Sequence, residues 1–129
     1  MRTLRVGIAS YEQMKARTIA IARGKYKPAA GEPKVWFTSA ESFARVLSDR
    51  NRALLGIIAE SGPESLARLA ELTGRKKSNL SRTLKTMERY GFVQLSHGPR
   101  GSIIPRVPYQ KISLTLPLSK PGREGTEAA

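Results

Sequence analysis

The stretch Ser65–Gly91, SLARLAELTGRKKSNLSRTLKTMERYG, decides how the chain folds. Ser65 is an N-cap residue, and Leu66, Leu69, Ala70 and Thr73 recur behind it with helical spacing. Gly74 ends that helix, because a tight turn needs a residue that tolerates positive φ. A second helix is predicted from about Lys76 to Tyr90. On a wheel of about 100° per residue, Leu80, Leu84 and Met87 share one narrow sector and define the core direction. Arg82 and Arg89 point almost opposite to it. Ser78 and Lys85 flank that outward direction on one side, and Arg75, Thr86 and Asn79 on the other, with Glu88 turned aside. Two amphipathic helices, a tight turn and a polar outer face on the second make the outline of a helix-turn-helix.

The outer face is made of the residue types that nucleic-acid chemistry requires. Arginine forks onto guanine O6 and N7 or clamps phosphates, asparagine pairs with adenine, and hydroxyls adapt to either. The N-terminal part of a recognition helix sits deepest in the major groove, so Ser78, Asn79 and Arg82 are assigned to base edges. Lys76, Lys77, Lys85 and Arg89, with Arg75 and Thr86 beside them, are assigned to phosphates, which position a protein without reading sequence. The bland alternative is a solvated helix with a basic face. It leaves unexplained why the preceding helix, similarly exposed, is not basic.

The formal net charge of +13 over 129 residues is unevenly spread. Met1–Lys34 holds eight basic residues against two acidic, and Val35–Gly74 four against five. Arg75–Arg89 then holds six against one, and Tyr90–Leu118 three against none. The excess therefore bypasses the scaffold helices and collects on the reading helix, the segment after it and the N-terminal segment. That distribution suits a polyanionic partner.

Behind Gly91, Phe92-Val93-Gln94-Leu95 reads as a strand, Ser96–Gly101 as a turn, and Ser102–Val107 as the returning strand. Pro105 and Pro108 confine that strand to an edge. Strand, basic loop and strand directly after a recognition helix form a wing, with Arg100 and His97 at its tip. Arg100 can reach a flanking minor groove or phosphate. His97 is the only histidine. Without cysteine, a second histidine or a nearby acid cluster, it is read as a tip hydrogen-bonder or a solvated side chain rather than a metal ligand or catalyst.

Upstream, Thr3–Ile8 alternates as a half-buried strand does. Ser10-x-x-Gln13 is a capping box opening a helix from Tyr11 to Arg23, stopped at Gly24. Lys25–Lys34 reads as a mobile basic linker. Val35–Phe37 is a short strand, and Trp36 is assigned to core or dimer packing. Ser39 caps a helix over Ala40–Leu47, and Ser48 caps the next, running to about Glu60. The residues leave open whether these two helices are continuous. Gly62-Pro63 breaks the chain before the decisive stretch. Ile112, Leu114 and Leu116 alternate as a last strand, able to pair with the first in the same subunit or across a dimer. The expected architecture is α+β: a winged helix-turn-helix core over residues 35–118, an N-terminal strand-helix arm with its linker over 1–34, and a disordered tail over 119–129.

Composition excludes several classes. The longest near-apolar run, Ala53–Ala59, is far too short to span a bilayer, and the N-terminus does not read as a signal peptide. Absence of cysteine removes disulfides and thiolate metal sites and fits a cytoplasmic location. No acid–base pair, activated nucleophile, phosphate loop or metal spacing points to an enzyme, and no cofactor is expected.

The segments Leu66–Gly74, Ser78–Leu84 and Met87–Val93 resemble the winged helix-turn-helix of MarR-like regulators. The resemblance is closest to small prokaryotic regulators that begin like Leu4-Arg5-Val6-Gly7 and carry a segment like Trp36-Phe37-Thr38-Ser39. It implies homodimers on pseudo-palindromic double-stranded DNA, with Ser78, Asn79, Ser81 and Arg82 in the major groove. It also implies repression, and an association with a toxin-like partner protein. The sequence departs from ordinary members of that family in its basic N-terminal arm, where long dimerisation helices are usual. The leading expectation is a sequence-specific DNA-binding repressor. The alternatives are an antitoxin whose arm neutralises a partner while its DNA binding autoregulates an operon, and a nonspecific nucleoid or RNA binder.

Overall fold

A computed structural model describes residues 2–118. The tail expected to be disordered, 119–129, lies outside the described residues. The order of elements is β1 (Thr3–Ile8), α1 (Tyr11–Ala22), β2 (Val35–Phe37), α2 (Ala40–Val46), α3 (Asp49–Ser61), α4 (Leu66–Thr73), α5 (Lys77–Arg89), β3 (Gln94–His97), β4 (Ile103–Arg106) and β5 (Lys111–Thr115). The class is α+β.

The caps are where the local chemistry puts them. Ser10 accepts from the Gln13 N–H at 3.1 Å while the Gln13 side chain accepts from the Ser10 N–H at 2.8 Å, closing the capping box of α1. Ser39, Ser48 and Ser65 each accept from the backbone N–H three residues on, at the starts of α2, α3 and α4. α2 and α3 are two helices, not one: the chain leaves α2 through Leu47 at φ −108°, ψ 55°, and Ser48 caps α3 from an extended conformation. Gly62 closes α3 and Gly74 closes α4, both in the left-handed region.

Two sheets form. In the first, β1 lies between β2 and β5 and runs parallel to both. Parallel neighbours cannot be joined by a tight hairpin, so α1 and the linker make the crossover from β1 to β2. The whole helical body separates β1 from β5 in the chain. The second sheet is the antiparallel pair β3–β4.

This topology draws the first strand into the same sheet and core as the later elements. The strand expected in a separate arm is the central strand of the sheet, with Leu4 and Val6 buried in the same cluster as Leu54, Ile58, Leu69, Leu80, Leu84, Met87, Phe92 and Val93. Alternation places Leu4 and Val6 on the helical side of β1, where each fully buried aliphatic chain contributes about 1.5–3 kcal/mol. β5 pairs with β1 within the same chain, in the register Leu4↔Ile112 and Val6↔Leu114. What remains of the arm is α1, which has no buried residue, and the linker behind it. Even the linker is tied at its end: Lys34 N–H donates to Arg5 O at 3.0 Å, and Arg17 pairs with Glu32 at 3.0 Å.

Phe37 joins the sheet to the helices. Its ring stacks on Tyr90 at 4.4 Å, meets Phe43 edge-on at 5.4 Å, and lies 6.2 Å from Phe92. These contacts fix the C-terminal end of α5 against the sheet. Trp36, one residue earlier, points to the other side, with the Arg17 guanidinium 5.3 Å from its ring. It packs against α1 and the linker.

Candidate nucleic-acid interface

α4 and α5 meet through the turn at Gly74, whose φ of +72° is readily available only to glycine. Gly74 N–H donates to Ala70 O at 2.8 Å, and the Thr73 hydroxyl donates to Leu69 O at 2.8 Å. α4 buries Leu66 and Leu69; α5 buries Leu80, Leu84 and Met87. The stripe read from the wheel is thus the buried stripe. The other side of α5 is in solvent: Lys77, Ser78, Arg82, Lys85, Glu88 and Arg89 are exposed, and Asn79, Ser81, Thr83 and Thr86 are half-buried. Lys76, at the N-cap position, is exposed too.

Ion pairing separates this face from the scaffold. The salt bridges among the described residues are Arg17–Glu32, Arg52–Asp49 and Arg68–Glu71. None involves a cation of α5 or of the turn before it. Lys76, Lys77, Arg82, Lys85 and Arg89 therefore present uncompensated charge, the arrangement that releases counterions from a polyanion on binding. Arg89 does donate to the Thr86 hydroxyl at 3.4 Å, a contact between two of the expected phosphate-binding side chains.

Arg75 stands apart from the other cations. Expected to reach a phosphate, it turns inward: Nε and Nη2 both donate to Asn79 Oδ1, at 2.9 and 2.7 Å. Nη2 also donates to the Thr83 hydroxyl at 3.3 Å, and Nη1 to Asn51 Oδ1 on α3 at 3.4 Å. Burial, and secondarily the charge of Arg50, push its guanidinium below the usual value. Arg75 thus braces α5 against α3. Thr83 and Asn51, not singled out from the sequence, complete the brace. Thr83 shares with Asn79 the i+8 and i+4 spacing from Arg75 on one helix face, whereas Asn51, 24 residues earlier in the chain, carries no local signal and joins only because α3 lies alongside.

The hairpin behind α5 is shorter and later than expected. Phe92 and Val93 are buried before the ladder begins, and β3 runs Gln94–His97, opposite Arg106–Ile103 of β4. His97 therefore sits at the end of the strand, exposed, rather than in the turn. The turn holds Pro99–Gly101 in one 3₁₀ turn, with exposed Arg100 at φ 61° and Gly101 at φ 74°. Gly98 N–H donates to Ser102 O at 2.8 Å and closes it. Arg106 is used structurally. Its Nη1 donates to Pro63 O at 2.8 Å and to Pro105 O at 2.7 Å, tying the hairpin to the loop before α4. Its role was hidden in the sequence, where it counted only as another positive charge.

Among the described residues, no group of three or more acidic or histidine side chains is placed to hold a metal ion. No helix among them is long and apolar enough to cross a membrane.

Comparison with known proteins places the chain in a family. The description HVO_A0114 matches residues 46–114, more than half of the chain, and the protein belongs to the HVO_A0114 family. The matched region runs from the last residue of α2 through most of β5 and leaves out β1, α1 and β2. No curated protein and no solved structure matches the chain.

Proposed function

We propose that this member of the HVO_A0114 family is a sequence-specific double-stranded DNA-binding transcription regulator, acting as a dimeric repressor. In this reading α4 and α5 are a helix-turn-helix of the MarR-like type, α5 enters the major groove, and the β3–β4 hairpin is a wing carrying Arg100 to flanking DNA. The observation that carries the reading is the outward face of α5 and its N-cap, where Lys76, Lys77, Arg82, Lys85 and Arg89 lack a carboxylate partner among the described residues and alternate with Ser78, Asn79 and Ser81. A face serving only solubility has no need to concentrate one sign of charge around hydrogen-bonding side chains of base-reading type.

Selection of bound duplexes from a random pool tests it. A palindromic site bound about a thousandfold more tightly than random DNA supports both specificity and a two-fold dimer. Equal affinity for all duplexes sinks sequence-specific regulation and leaves a nonspecific nucleic-acid binder. The dimer has independent support in the sheet: among the described residues β5 pairs on one side only, and Leu114 on it and Leu116 just beyond it are 40% and 47% exposed. An open edge of that kind can accept another strand. A strictly monomeric mass on a palindromic site, one chain per duplex, removes the dimer.

A second reading has one observation in its favour. α1 exposes Tyr11 and Ile19, 74% and 40% accessible, on a helix that DNA binding does not require. An antitoxin using α1 and its linker against a partner protein accounts for that surface. Coexpression with the product of the adjacent gene decides it. Failure to form a complex, with repression intact, removes the second reading.

A further inference from the structure

Asn79 keeps its amide oxygen against the Arg75 guanidinium. We propose that the Arg75 guanidinium makes Asn79 a donor-only reader and so directs it to guanine in place of adenine. The inference rests on the DNA-binding reading above and deepens it by naming the base preference of one position.

The donors and acceptors of the amide limit which base edge it matches. An asparagine amide has one oxygen with two lone pairs and one NH2 with two hydrogens. Bidentate pairing with adenine uses both ends: the oxygen accepts from N6 while the nitrogen donates to N7. Here Asn79 Oδ1 accepts from Nε and from Nη2 of Arg75, at 2.9 and 2.7 Å, so the oxygen is turned into the guanidinium fork. These are charge-assisted bonds from the rigid fork of a guanidinium, stronger than neutral ones. An adenine N6–H would meet an oxygen already bound to a cation, whose charge repels a donor and favours an acceptor such as guanine O6.

The nitrogen end is free. Among the described residues nothing accepts from Asn79 Nδ2, and no buried side-chain polar atom is left without a partner, so the half-buried residue keeps its NH2 open to solvent. Two hydrogens facing outward match an edge with two acceptors. In the major groove guanine offers N7 and O6 together, whereas adenine sets an N6 donor beside its single acceptor.

The lock is built from more than one contact. Arg75 is itself held by Thr83 on α5 and by Asn51 on α3, at 3.3 and 3.4 Å. Releasing Asn79 to swing its oxygen outward would leave a half-buried guanidinium short of its main acceptor. Arg75 is therefore a positioning residue: it acts on the base through Asn79.

The test is duplex selection from a random pool with the full chain and three variants. In the unaltered protein, the position whose preference disappears in Asn79→Ala is expected to be a G·C pair, preferred over A·T by about five- to tenfold, as one good contact allows. In Arg75→Met, whose side chain cannot donate, the same position is expected to shift to A·T. Arg75→Lys, a single point donor in place of the rigid fork, serves as the second variant where Arg75→Met does not fold. It is expected to shift preference the same way and by less. A purely structural Arg75 would weaken binding at every position and leave the preferred base unchanged, which overturns the proposal. An A·T pair at the Asn79-dependent position of the unaltered protein, or no such position at all, also overturns it. If the unaltered protein selects no sequence, the DNA-reading proposal itself fails, and that outcome differs from a site read with the wrong base.

Discussion

Gly7 and Trp36 face each other across the β1–β2 ladder, and the indole occupies the space that a side chain on residue 7 would need. A Cβ built at Gly7 would lie 2.6 Å from Trp36 Cζ3 and 2.9 Å from Pro33 Cγ. Neither neighbour can give way easily. The indole lies under the Arg17 guanidinium, and Arg17 is in turn paired with Glu32 next to Pro33. Gly7→Ala is therefore expected to destabilise the fold by about 1–3 kcal/mol through overpacking. Urea unfolding measures it, and an unchanged midpoint would show that the indole is not confined there.

A complementary experiment isolates backbone strain from crowding. Nothing lies within 4 Å of a Cβ built at Gly74 or at Gly31, but Gly74 holds φ at +72°. Gly74→Ala is expected to cost about 1–2 kcal/mol from the left-handed conformation alone. Gly31→Ala, in open space and without that constraint, is expected to be close to neutral. Matching stabilities for the two variants would mean that the α4–α5 turn relaxes freely.

The aromatic cluster makes a prediction about the attachment of α5. Phe37→Ala removes a ring with three aromatic neighbours, Tyr90, Phe43 and Phe92, and a cavity of that kind costs about 3–5 kcal/mol. Denaturant titration gives the size of the loss. A cost below about 1 kcal/mol would indicate that Tyr90 and Phe92 close over the gap.

The two kinds of cation on α5 are expected to behave differently on DNA. Arg82→Ala should weaken binding to the selected site by about 1–3 kcal/mol and reduce discrimination between sites. Equal losses on specific and random duplexes would take Arg82 out of base readout.

Lys85→Ala should weaken both kinds of duplex alike and make the dependence of log affinity on log salt shallower by about one unit. Titrations across a range of salt concentrations check this. A slope identical to that of the unaltered protein means that Lys85 touches no phosphate.

Much of the helical framework was legible in the chain. Ser39, Ser48 and Ser65 announced their helices because a cap is satisfied within three residues, and Leu80, Leu84 and Met87 announced the buried stripe because helical periodicity needs no distant partner. The hairpin was legible as strand, turn and strand but not in its limits. Phe92 and Val93 look like strand residues in isolation; the core takes them first, and the ladder starts only at Gln94.

Sequence by itself thus determined where the helices start and stop, which stripe of α5 is buried and where the positive charge collects, since these follow from interactions within a turn or two of chain. Only tertiary structure decided that β1 is the centre of a parallel sheet. Its partners, Val35–Phe37 and Lys111–Thr115, are specified by burial of Leu4 and Val6 against helices that come later in the chain. Only tertiary structure decided the allegiance of Arg75 as well. By composition it is one more cation at the head of a basic helix. With Asn51 of α3 alongside, burial makes hydrogen bonds to fixed oxygens worth more than exposure to water, and the guanidinium turns from solvent to Asn79.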